Sequence, residues 1–292
     1  MCCTCKYDLH IHIILDGVYY RAAIDAQKEK PDDTLIRARL EDYRARGVRF
    51  LRDGGDAWGV NLRARALAVE YGIDYRSPAF PIHKSGHYGG FIGRSFADLD
   101  GFFRLLDEIH AVHGDFVKLM ISGLIDFSRP QTLTEPGLAP DEIARLIDAA
   151  HSAGFAVMAH ANGDETVRAA IDAGVDSVEH GAFLSEATLR EMGRRHVLWV
   201  PTLSTIGNLI GNGRFPDTVL SSLLAAQQQK LRFAADCGAH IGLGTDAGAY
   251  RVLHGQAVRQ EYDYLRAALG ESTDALLSEA AEYARARFRT SF

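Results

Sequence analysis

Short apolar runs alternate with amphipathic stretches along the whole chain. The runs at 7–13, 48–53, 74–80, 116–121, 155–160, 175–180, 197–202 and 240–245 have strand length and strand composition. Between them, 33–46, 61–71, 97–112, 140–153, 164–173, 185–195 and 217–237 carry helical patterning. The 140–153 segment shows the logic. Pro140, Asp141 and Glu142 open it, Ile143, Leu146, Ile147 and Ala150 recur at helical spacing, and Gly154 stops it. Eight strands separated by helices predict a parallel α/β sheet, and the count of eight predicts a single closed (β/α)8 TIM-type barrel. Loops at 81–95, 122–138 and 203–216 are long and rich in Gly, Pro and Ser. Such loops, following strands, are where barrels keep their specificity.

The chain has 292 residues, and one barrel needs about 250. A net charge of −6 gives no basic footprint, which excludes nucleic acid as a partner. No apolar run approaches the roughly 20 residues of a membrane helix, and no basic segment precedes an apolar one at the start. A small-molecule substrate and a reducing cytoplasm are therefore expected, and a homo-oligomer is allowed. Cys2, Cys3 and Cys5 crowd the first residues and Cys237 stands alone, which is no disulfide framework. Residues 1–6 read as a Cys-rich tail before a barrel of 7–292.

Six side chains near the ends of strand-like runs carry candidate metal chemistry. His10 and His12, two apart on a strand, point to one face and can share a cation. His160 and His180 each end an apolar run, at the junction where barrels build active sites. A lone histidine there is usually structural, but two on consecutive strands beside a His-x-His pair favour ligation of zinc or a similar cation. Asp246, in GLGTD, reads either as a helix N-cap or as a carboxylate at the strand mouth, a ligand and proton acceptor. Lys118 stands out because the chain has 26 arginines and only six lysines. It lies among Phe116, Val117, Leu119 and Met120, so it is either a snorkelling or ion-paired lysine or an amine neutralised by desolvation. A neutral amine can add carbon dioxide, and the resulting carbamate can bridge two cations. His83 and His87 follow the third strand and could touch substrate; His254, after Asp246, is a weaker candidate of the same kind. Arg94 and Arg129, in long loops, are candidates for pairing with a substrate carboxylate.

The segments DLHIH, VKLMISG, AHSAGFAVMAHANGDETVRAAIDAGVDSVEHGAFLSEATL, WVPTL and GLGTDAG together resemble the amidohydrolase superfamily. Within it they are similar to the imidazolonepropionase-like branch that includes metal-dependent Xaa-Pro dipeptidases. The resemblance runs from about residue 7 to the end. It implies a metal-bearing β/α barrel in which His10, His12 and Asp246 hold the more buried of two divalent ions, with zinc the expected metal. It implies further that His160 and His180 hold the second and that carboxylated Lys118 bridges them. A hydroxide between the metals would attack an amide or dipeptide-like C–N carbonyl, with Asp246 moving its proton. Tyr88, beside His87, falls in a loop where relatives place substrate-contacting groups.

Two departures qualify this. Relatives flank the barrel with a small β-sandwich, and none is expected here. After Lys118 the chain reads ISGLIDFSR where dipeptidase relatives commonly show Gly-Gly, so the substrate does not transfer. A lactone or organophosphate ester hydrolase would use the same metal centre. A vestigial metal-binding barrel is the non-enzymatic alternative. A mononuclear deaminase fits less well, because His160 is followed by Ala-Asn-Gly.

Overall fold

A computed structural model describes residues 6–129 and 131–289. The Cys2, Cys3 and Cys5 cluster lies outside the described residues. The described residues form ten strands: β1 (Tyr7–Ile11), β2 (Phe50–Asp53), β3 (Asp74–Arg76), β4 (Pro81–Lys84), β5 (Arg94–Phe96), β6 (Val117–Met120), β7 (Val157–Ala161), β8 (Ser177–His180), β9 (Leu198–Val200) and β10 (His240–Ile241). They form a three-stranded sheet, β1-β2-β3, and a seven-stranded sheet, β10-β9-β8-β7-β6-β4-β5. Every pairing between these strands is parallel. Each of the eight apolar runs overlaps one of these strands, and β6, β7 and β9 are buried at every position, as strands covered on both faces must be.

Backbone contacts link the two sheets. Leu9 N donates to Leu243 O at 2.9 Å, Asp246 N to His10 O at 2.7 Å and His12 N to Ala247 O at 2.8 Å, so the chain leaving β10 runs beside β1. On the other side only four residues separate β3 from β4, and Asp115 N, just before β6, donates to Ser77 O at 2.7 Å. Ala79, with φ +65°, turns the chain within that interval. The sequence placed β4 and β5 in a loop. They are too mixed with proline, glycine and polar residues for an apolar run to reveal them.

The principal helices are α1 (Tyr20–Asp25), α2 (Asp33–Ala45), α3 (Val60–Ala68), α4 (Leu99–Ala111), α5 (Pro140–Ser152), α6 (Asp164–Asp172), α7 (Glu186–Arg194), α8 (Ser204–Gly207), α9 (Asp217–Asp236), α10 (Gln256–Leu269) and α11 (Thr273–Arg287). Their starts follow the capping rules. Asp32 Oδ1 accepts from Thr34 N at 2.8 Å, Asp98 Oδ1 from Gly101 N at 2.8 Å, and Pro140 occupies the first turn of α5. Ile143, Leu146, Ile147 and Ala150 are the buried stripe of α5, as their spacing required. One large apolar cluster joins strands and helices, from Leu9 and Phe50 through Trp199 to Phe288. Among the described residues no helix is long and apolar enough to cross a membrane.

Candidate metal centre

The six side chains singled out by strand position converge at the carboxyl ends of β1, β6, β7, β8 and the segment after β10. His10, His12, Lys118, His160, His180 and Asp246 all line one cavity of about 610 Å³. Ring centroids of His10 and His12 are 5.3 Å apart, those of His10 and His180 5.1 Å, and those of His160 and His180 4.6 Å. Asp246 Oδ1 sits 3.5 Å from His10 Nε2 and 3.4 Å from His12 Nε2. His10, His180 and Asp246 each aim one ligand atom into a single space, with the three atoms within 4.8 Å of one another.

The local backbone is shaped for this convergence. His180, Thr202 and Asp246 have φ of +68°, +49° and +60°, in the left-handed region that non-glycine residues seldom occupy. Such conformations persist where surrounding structure over-determines them, often at functional sites. Close approach also demands glycine. A Cβ on Gly54 would stand 2.9 Å from His12 Nδ1, and one on Gly244 would stand 2.9 Å from His10 N.

Three of the four histidines, His10, His160 and His180, have one ring nitrogen committed, whereas His12 Nδ1 is buried without a hydrogen-bond partner among the described residues. Glu179 Oε2 holds His10 Nδ1 at 2.8 Å, Thr202 Oγ1 holds His180 Nδ1 at 2.7 Å, and Gly123 O holds His160 Nε2 at 3.2 Å. That fixes each ring and leaves the other nitrogen for a ligand, the usual support of a metal-binding imidazole. Glu179 is fully buried, and its other oxygen accepts from Arg52 at 2.7 Å and from Ser177 Oγ at 2.6 Å. Arg52 in turn donates to Leu9 O at 2.7 Å and lies 4.3 Å from the Phe288 ring. Sequence reasoning missed Glu179, Arg52 and Thr202. Glu179 stood in plain view beside His180, but nothing in SVEH alone marks it as the partner of a residue 169 positions away.

Burial sets the protonation states. It drives the pKa of His10 and His180 well below the ordinary value, and that of His12 and His160 down to about 3, with the Lys118 ammonium adding repulsion at all four. The rings are therefore neutral, the form that coordinates metals. Burial likewise lowers the Lys118 amine, against the pull of Glu179 and Asp246, and raises Asp246, against the pull of Lys118. Among the described residues Lys118 Nζ has no hydrogen-bond partner, although it is buried. An unsatisfied buried amine costs stability and calls for an explanation.

The remaining candidates separate. Tyr88 lines the cavity, its ring 4.9 Å from that of His160. His87 is outside the lining and faces Glu135 at 3.8 Å. His254 is buried with both nitrogens used, by Tyr43 Oη at 3.2 Å and Leu15 O at 2.8 Å, and is absent from the lining. His83 is buried with Nδ1 against Lys84 O at 3.0 Å. Arg94 pairs with Glu108, and Arg129 with Asp126 at 2.7 Å, so neither guanidinium is free for substrate.

The sequence profile of the amidohydrolase family matches residues 89–284, and the chain belongs to that family. An uncharacterized protein of Mycobacterium tuberculosis is 32% identical over 127 residues, 41% of this chain and 34% of that relative. Ochratoxinase of Aspergillus niger is 29% identical over 135 residues, 44% of this chain and 28% of the enzyme. The matched segments thus span about a third of these relatives. The solved structure of A. niger ochratoxinase aligns with a TM-score of 0.78 at 19% identity, over 97% of this chain and 71% of that one. A Xaa-Pro dipeptidase with methionine bound in its active site aligns with a TM-score of 0.74 at 21% identity, over 96% and 75%. At such identity the likeness is one of fold.

Proposed function

We propose that the protein is a metal-dependent hydrolase of C–N bonds, acting on an amide or dipeptide-like small molecule. We read its two sheets as one (β/α)8 barrel, with β3 and β4 sharing a single barrel position and β5, paired only with β4, lying outside the eight. The observation that carries the reading is the placement of Asp246 Oδ1 within 3.5 Å of both His10 Nε2 and His12 Nε2, beside a buried lysine amine with no partner.

The donor set fits two divalent cations, zinc by ligand type. His10, His12 and Asp246 would hold one, His160 and His180 the other, and Lys118 as a carbamate would bridge them. That modification removes the orphaned amine and replaces its charge with a carboxylate. Bound cations lower the pKa of water and polarise a carbonyl oxygen. The chain's own residues do the rest. Asp246 accepts a proton from the attacking water and returns it to the leaving nitrogen. Glu179 and Thr202 keep His10 and His180 in one tautomer and orientation. Tyr88, its ring tilted against that of His160 at 4.9 Å, walls the cavity. The expected setting is the cytoplasm.

A panel of N-acyl amino acids, dipeptides, lactones and phosphotriesters, assayed on metal-loaded protein, tests the reading. Preferential cleavage of the first two classes is the expected result. Cleavage of only the last two would reassign the centre to ester chemistry, and metal binding with no turnover would favour a binding role.

A further inference from the structure

A second cavity, of about 340 Å³, adjoins the metal cavity. The two share Tyr88, Leu124, His180, Arg214, Asp246 and Tyr250 as wall residues. The second is largely apolar, walled by Ile125, Phe127, Ile206, Leu209 and Phe215. These side chains form a satellite apolar cluster outside the main core, and the Phe127 and Phe215 rings meet at 5.1 Å across the loops that follow β6 and β9.

Arg214 stands at the junction. Of the cationic residues lining either cavity, Lys118 lies buried in the metal cluster, and Arg214 is the other. Among the described residues no carboxylate pairs with its guanidinium, whereas Arg94 and Arg129 in neighbouring loops are each neutralised. It is nevertheless positioned. Its guanidinium carbon is 4.8 Å from the Tyr250 ring centroid and 5.4 Å from that of Phe215, and its backbone N donates to Asn212 Oδ1 at 2.8 Å. Contact through the guanidinium face leaves the N–H edge available for a planar anion.

We propose that Arg214 is the specificity-determining residue that takes a substrate carboxylate, while the apolar chamber takes the side chain next to it. This rests on the C–N hydrolase reading. An N-acyl amino acid has the matching chemistry: a carbonyl for the metal cavity, and beyond its nitrogen a carbon bearing both a carboxylate and a side chain. The chamber's lining selects an apolar side chain such as that of leucine or phenylalanine. Arg214 touches no reacting atom, so its loss acts on binding.

Zinc-loaded wild type, Arg214→Met and Arg214→Lys would be compared on N-acetyl-L-leucine and on the uncharged N-acetyl-L-leucinamide. Calorimetric binding of 4-methylpentanoate, which has no bond to cleave, would be measured alongside. Arg214→Met should raise KM for the acid about ten- to a hundredfold, the range of a charge-assisted hydrogen bond, with kcat changed little. The amide should be unaffected, Arg214→Lys should recover part of the loss, and 4-methylpentanoate affinity should fall in parallel with the acid. Equal losses on acid and amide, or no loss on either, would overturn the assignment. If wild type cleaves neither compound, the hydrolase reading fails on these substrates, and the 4-methylpentanoate comparison alone decides Arg214: weaker binding in Arg214→Met supports it, unchanged binding rejects it.

Discussion

Two buried charged clusters occupy opposite ends of the same strands, and they are built on opposite principles. At the amino end, Asp176 precedes β8 and accepts from Val157 N at 2.7 Å, from His151 Nε2 at 2.9 Å and from Arg287. Burial alone would raise its pKa, but these partners outweigh burial and hold it below the usual 3.8. At the carboxyl end, Lys118 is as deeply buried and has no hydrogen-bond partner among the described residues. Four neutral imidazoles and a carboxylate surround it. A satisfied cluster ties elements together, whereas the unsatisfied one is the cluster to which the proposed metal centre is assigned.

The sharpest way to break the comparison is to remove the orphaned amine. Lys118→Ala should leave the fold intact, because a partnerless group is lost, yet lower kcat/KM by about 10⁴-fold, since metal-borne charge stabilisation is worth several kcal/mol. Circular dichroism and steady-state kinetics check the two halves. Asp246→Asn keeps the shape and removes the proton acceptor, so kcat should drop about 10²–10⁴-fold. A smaller effect is expected from Glu179→Gln, which leaves a carboxamide against Arg52 and His10. Metal affinity should weaken about 10–100-fold, read by competition with a chelator.

The amino-end cluster should respond the other way. Asp176→Asn should cost about 1.5–3 kcal/mol of stability in urea unfolding, the worth of hydrogen bonds to a charged group, with metal content unchanged. Its pH dependence follows from the depressed pKa. The stabilisation is fully present above the unfolded value of 3.8 and is lost as pH falls through the lower folded value. The gap between wild type and Asp176→Asn should therefore narrow below about pH 4.

The strand-borne half of this was legible in the sequence because strand ends are marked by where apolar runs stop. His10, His12, His160, His180 and Asp246 sit at or near such stops, and Lys118 stands out as the one lysine inside an apolar run, so their convergence followed from the expected fold. The residues that hold them were not legible. Glu179 reaches His10 and Arg52 reaches Leu9 O only once distant strands are side by side. Arg214 was hidden for a related reason. Its isolation from carboxylates is a property of two folded loops, and in the sequence Arg94 and Arg129 looked equally free. The strands β4 and β5 escaped because proline, glycine, serine and histidine break up any apolar run in the 81–95 stretch that holds them.

The most direct test of the central claim is metal uptake by the apo-protein with and without bicarbonate, in wild type and Lys118→Ala. If Lys118 becomes the bridge, wild type should take up close to two zinc equivalents per chain with bicarbonate and markedly fewer when carbon dioxide is excluded. Lys118→Ala should be low and indifferent to bicarbonate. Uptake that is the same in both proteins, with or without bicarbonate, would contradict the account.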